Sequence, residues 1–196
     1  MPLWLPYKAG EQFALSKLQW IAEHRTKHTQ EHLRHGQAIG KAHHLYFVPS
    51  AEAEKATTRI RQNQIEVRHP QTLIASNISV QQAARTACIR ALRSEAESLL
   101  PQRLRYLATQ GGFSYASVSI KYLKSRWGSC SAQQEITLNL FLMQLPWHLI
   151  DYVLFHELTH TKVMQHGPPF WQELERHSPG AKQLRKEIRE QHPTLG

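Results

Sequence analysis

The chain has 196 residues, enough to bury a sizeable core, with 41% hydrophobic and 20% charged residues, which places it among soluble globular proteins. Lys and Arg outnumber Asp and Glu by 24 to 15, a formal charge of +9. That charge attracts polyanions without choosing among nucleic acid, anionic membrane and nucleotide phosphates, and it serves solubility equally well. Two cysteines, Cys88 and Cys130, far apart and in unlike settings, exclude a disulfide framework and fit a reducing cytoplasm.

The N-terminus has no basic stretch followed by an apolar run, so no signal peptide is expected. Between residues 11 and 30, Phe13, Leu15, Leu18, Trp20 and Ile21 recur at helical spacing and predict an amphipathic helix with a polar, His- and Lys-rich end. His24, His28 and His32 repeat every four residues and, with His35, His43 and His44, invite a second metal site; on the polar end of a surface helix we read them as solvated. Residues 45–48 predict a strand closed by Pro49. Residues 57–61 and 65–68 alternate apolar and polar and predict a hairpin turning at Gln62-Asn63-Gln64, ended by Pro70.

A long helix is expected over residues 80–110, capped by Ser79 and stopped by Gly111-Gly112, with Ala84, Ala87, Cys88, Ala91, Leu92 and Ala96 as its apolar stripe. Pro101 predicts a break or kink, and the helix's arginines read as solvating charge. Residues 117–123 and 135–142 read as strands on either side of the 124–131 segment. Pro146 opens a helix apolar on most sides, through Leu149, Ile150, Val153, Leu154, Phe155 and Leu158, with Tyr152 as core packing. Residues 136–155 are the most apolar stretch, but Asn139, Gln144, Pro146, His148 and Asp151 interrupt it, so it is a poor membrane span. A short helix over 170–177 and a charged amphipathic helix running to about residue 191 complete the chain.

That apolar helix carries His156-Glu157-Leu158-Thr159-His160, and His166 follows six residues later. Histidines four apart on a helix lie about 400° round the axis, one above the other, so both imidazoles reach one ion. Glu157 points about 100° away, where it acts on a water held by the metal. A hydrolytic zinc takes three protein ligands and leaves a position open for water. His156, His160 and His166 supply three neutral nitrogens for one Zn2+ ion, and Glu157 is the candidate general base. Burying Glu157 and two histidines in so apolar a helix is costly unless they are paired or metal-bound. A structural zinc with Cys130 as fourth ligand is the competing reading. His148 and His177 flank the region as candidate hydrogen-bond donors or as surface histidines.

The blocks Arg126-Trp127-Gly128-Ser129-Cys130-Ser131, Ile136-Thr137-Leu138-Asn139, Ile150-Asp151-Tyr152-Val153, the HELTH run and His166 with Phe170-Trp171 stand in one order, and together they resemble the YgjP-like metallopeptidase-domain family. Phe155, Thr159 and Gly167-Pro168-Pro169 depart from its pattern; the ligands do not. The resemblance implies an α+β, compact zincin-like fold of the minigluzincin type, with a small, mostly antiparallel sheet packed against an active-site helix and further helices. It also implies a single domain over residues 1–196, with an N-terminal helix and hairpin part, 1–78, and a zinc-binding catalytic core, 79–196. The implied activity is a zinc metallopeptidase. Some relatives are described as nucleoside triphosphate pyrophosphatases acting on UTP, which leaves a nucleotide substrate open, and the basic charge leaves a nucleic-acid-associated protease or binding module as a third reading. Arg126 is a candidate substrate-binding residue for a phosphate or carboxylate, or a brace between sheet and helix. No membrane partner is expected, and the sequence leaves oligomeric state open.

Overall fold

The structure, a computed structural model, describes residues 12, 15–18 and 32–195. Residues 12 and 15–18 are helical; the remainder of the helix expected over 11–30, with His24 and His28, lies outside the described residues. Leu33–Leu195 form one compact unit.

Its first sheet has the order β1-β2-β4-β3, from β1 (Ala38–Ile39), β2 (His43–Ser50), β3 (Thr57–Arg61) and β4 (Gln64–Pro70). β3 and β4 form the expected antiparallel hairpin, with Arg61 opposite Gln64, so the turn is Gln62-Asn63 and Gln62 takes a φ of 48°. β2 lies parallel to β4, matching Leu45 with Ile65 and Phe47 with Val67, and these four side chains line the buried face. Pro49 does not close β2, because β1 reaches only His43 and His44 and leaves one edge of β2 unpaired at the proline.

Helix α1 (Ile78–Gly111) packs across this sheet. Its cap is Asn77, whose side chain accepts from the Ser79 N–H at 3.0 Å, and not Ser79 itself. Gly112 ends it in the left-handed region at φ 62°. Val80, Ala84, Ala87, Cys88, Ala91, Leu92, Ala96, Leu100 and Leu104 recur at helical spacing and are all buried. The helix runs through Pro101 without the expected break. Near the proline, the exposed Gln102 amide donates to the Ser98 carbonyl at 2.8 Å, a side-chain bond that supports the backbone there. Its arginines are not merely solvated: Arg90 donates to Thr58, Arg93 to the Ile120 carbonyl, and Arg103 grips Asp151.

The second sheet has the order β5-β7-β6, from β5 (Ser117–Lys121), β6 (Gly128–Cys130) and β7 (Glu135–Asn139). β5 is parallel to β7 and β6 antiparallel to it, so β7 is central and β6 an edge. β7 stops three residues before the end expected from its apolar run. The buried Asn139 side chain accepts from Phe141 N–H at 3.2 Å and opens a 3-10 turn, Leu140–Gln144. The same side chain donates to the Leu123 and Arg126 carbonyls at 2.7 and 2.8 Å, fixing the loop that leads into β6.

Helix α2 (Trp147–His160) follows, with Pro146 just outside as its cap, then α3 (Pro168–His177) and α4 (Ala181–Arg189). Arg103 holds Asp151 with two bonds of 2.8 and 2.6 Å, tying α2 to α1. One hydrophobic core runs from Leu33 through both sheets to Leu195. No described helix is long and apolar enough to cross a membrane.

Candidate metal centre

Helix α2 brings His156 and His160 onto one face, and the loop after it returns His166 between them. The His166 Nε2 lies 3.0 Å from that of His156 and 3.1 Å from that of His160. Among the described residues, this is the one group of three or more His, Cys, Asp or Glu placed to share an ion. Three imidazole nitrogens facing one another at this separation fit a small cation: nitrogens about 2.0–2.1 Å from a tetrahedral zinc stand ~3.3 Å apart. The His160 Nδ1 faces the Val163 carbonyl at 3.3 Å, which holds the proton on that nitrogen and leaves Nε2 bare. Burial, reinforced by the neighbouring histidines, drives the His156 pKa down to about 3 and lowers that of His160, so both rings stay in the neutral form a metal requires. The His156 Nδ1 is buried without a partner.

Phe170, wholly buried at the start of α3, meets all three rings at 4.9, 4.6 and 4.7 Å between centroids. Pro168 and Pro169 start α3 where missing N–H groups cost nothing, and so place this ring. Trp171 stacks on His166 at 5.9 Å and 27°. The sequence marked Phe170-Trp171 as a landmark without revealing this platform, because an aromatic pair after a loop reads equally as core.

Glu157 is 4% exposed, and burial pushes its carboxyl up to about 8, against the opposing pull of Arg126. It lies against β6: a Cβ at Gly128 would stand 2.7 Å from its Oε1 and 2.9 Å from its Cγ. Gly128 is therefore the space the carboxylate occupies. Arg126 is exposed, within electrostatic reach of Glu157, and its side chain has no ion-pair partner among the described residues. Cys130 is half-buried with its thiol pushed up to about 11 by burial and by Glu157, and it stands outside the three-histidine group. Tyr152 is buried 6.0 Å from His156, as core packing predicts. His148 pairs with Glu187 at 2.8 Å, and His177 stacks between Phe113 and Phe155; neither joins the cluster. His35 accepts from Phe47 N–H and His43 bonds Glu95, so these two are structural.

The YgjP-like metallopeptidase-domain family model matches residues 1–191. The chain belongs to that family. Among solved structures it is similar to the metallopeptidase zymogen abylysin of Pyrococcus abyssi, at 29% identity over 46% of this chain and 91% of that one, with a TM-score of 0.42. It is also similar to the zymogen jannalysin of Methanocaldococcus jannaschii, at 19% identity over 52% and 94%, with a TM-score of 0.40. No curated protein sequence matches it. The fold is α+β, with the expected small sheet divided into two.

Proposed function

We propose that this YgjP-like metallopeptidase is a zinc hydrolase of peptide bonds, with His156, His160 and His166 as ligands of one Zn2+ and Glu157 as general base. The observation that carries the reading is the convergence of three imidazole Nε2 atoms, with the buried Glu157 next in the chain to His156 and accepting no hydrogen bond from any described residue. Zinc held there would lower the pKa of a water to about 7 and polarise the scissile carbonyl.

Glu157 takes the proton of the attacking water and returns it to the leaving amine. Gly128 leaves the carboxylate room, and Phe170 packs against all three imidazoles and holds their arrangement. The strand just before the site helix, β7, is paired on both sides, so an extended peptide has to use β6. Trp127, Ser129 and Ser131 sit opposite Asn139, Thr137 and Glu135, with bonds running between the outer pairs. Antiparallel alternation then turns the backbone groups of Gly128 and Cys130 to the free edge, where a peptide strand adds. Arg126, at the head of β6, serves as a substrate-facing cation.

The test compares zinc-loaded wild type, chelated protein and Glu157→Gln on a peptide library and on nucleoside triphosphates, UTP included. The reading expects peptide cleavage in the first alone, restored to the second by zinc. Pyrophosphate release without peptide cleavage would replace the peptidase by a nucleotide hydrolase built on the same residues.

A further inference from the structure

The carboxylates around α3 and α4 are largely committed. Glu173 receives Lys162 and Arg176 at 2.9 and 3.0 Å. Glu175 accepts from the backbone N–H groups of Gly180 and Ala181, and Glu187 pairs with His148. Arg185, exposed on α4, has no ion pair or hydrogen bond among the described residues. Its guanidinium carbon lies 4.7 Å from the centre of the Trp171 ring. That indole stacks on His166 and meets His156 edge-on at 6.4 Å, so one aromatic ring separates an unneutralised cation from the candidate metal ligands.

Stacking engages the face of a guanidinium and leaves its edge N–H groups free for a planar, two-bonded partner. A carboxylate has that shape. Holding the side chain on the indole also removes part of the rotamer freedom that usually weakens an exposed arginine's hold on an anion.

Resting on the peptidase reading, we infer that Arg185, seated on Trp171, is a carboxylate receiver that selects peptides with an acidic side chain or a free carboxy terminus close to the scissile bond. An extended chain advances about 3.3–3.6 Å per residue, so a cation one aromatic ring away from the ligands meets a group roughly two or three residues from the bond.

The test uses zinc-loaded Glu157→Gln, which binds without turnover, and measures calorimetric Kd for paired hexapeptides differing only by Glu or Gln, each with a free or an amidated carboxy terminus. The acidic member is expected to bind about tenfold tighter, with the amidated arm separating side chain from terminus. Adding Arg185→Gln brings the ratio to about one, Arg185→Glu inverts it, Arg185→Lys keeps part of it, and Lys182→Gln, which removes the same net charge elsewhere on α4, leaves it intact. Equal binding of both members by the parent overturns the inference, as does a preference that survives Arg185→Gln at unchanged zinc content and melting temperature. Wild-type cleavage of acidic and neutral peptides at equal rates removes the inference and leaves the peptidase standing; a wild type that cleaves no peptide removes the peptidase reading and the inference with it.

Discussion

Two buried glutamates, each facing a glycine, sit on different helices and are held in different ways. Glu95, on α1, accepts from the backbone N–H groups of Lys41 and Ala42 at 2.6 and 3.0 Å and bonds the His43 Nδ1 at 2.6 Å. Gly40, at φ 67°, makes room for it, since a Cβ there would lie 2.2 Å from its Oε2. Glu157, on α2, has the same kind of glycine in Gly128 but no described donor, and burial raises its pKa to about 8. A buried carboxylate whose lone pairs are filled by the fold is a fastening. One with no described donor and a pKa raised by burial is a candidate for chemistry or ligand binding.

Substituting each glutamate should separate the two most strongly. Glu157→Gln should lower turnover by about 10²–10⁴-fold with zinc content and melting temperature held, because it removes proton transfer and no packing. Glu95→Ala should instead destabilise by about 3 kcal/mol or more in denaturant titration, since two backbone donors and an imidazole lose their acceptor together. A large stability loss in the first or a large turnover loss at full folding in the second would erase the distinction.

The glycines come next. Gly128→Ala should cut kcat about tenfold or more with KM and zinc affinity little changed, as the new methyl displaces the carboxylate alone. Gly40→Ala should leave kcat intact in the folded protein and lower stability by about 1–3 kcal/mol, through a positive φ and a collision with Glu95. Smallest is Asp151→Asn. Its pairing with Arg103 is partly exposed, so unfolding measurements should show a loss of about 1 kcal/mol, with the site unaffected.

The sequence revealed Glu157, the proposed general base, far better than Glu95. Glu157 stands between two histidines whose four-residue spacing has a chemical meaning, whereas Glu95 finds its donors more than fifty residues away. No local pattern announces such a partner. The two glycines were opaque for a related reason: a missing side chain says nothing until the group occupying its place is known. Long periodic elements were readable, α1 and α2 above all, but β1 and β6 span 2 and 3 residues and are too short to show alternation. β7 was overextended because the apolar run continues past Asn139, whose side-chain bond to Phe141 turns the chain. Arg185 looked like one charge among many on an amphipathic helix, and only the position of Trp171 gives it a distinct place.

We propose that three histidines hold one metal ion and that Glu157 and Cys130 do not. Titrating metal-free protein with zinc tests it directly, across wild type, His166→Ala, Glu157→Gln and Cys130→Ser. The account predicts one tightly bound equivalent in wild type, Glu157→Gln and Cys130→Ser, and its loss in His166→Ala. Tight binding that survives His166→Ala, or that disappears with Glu157→Gln or Cys130→Ser, would contradict it.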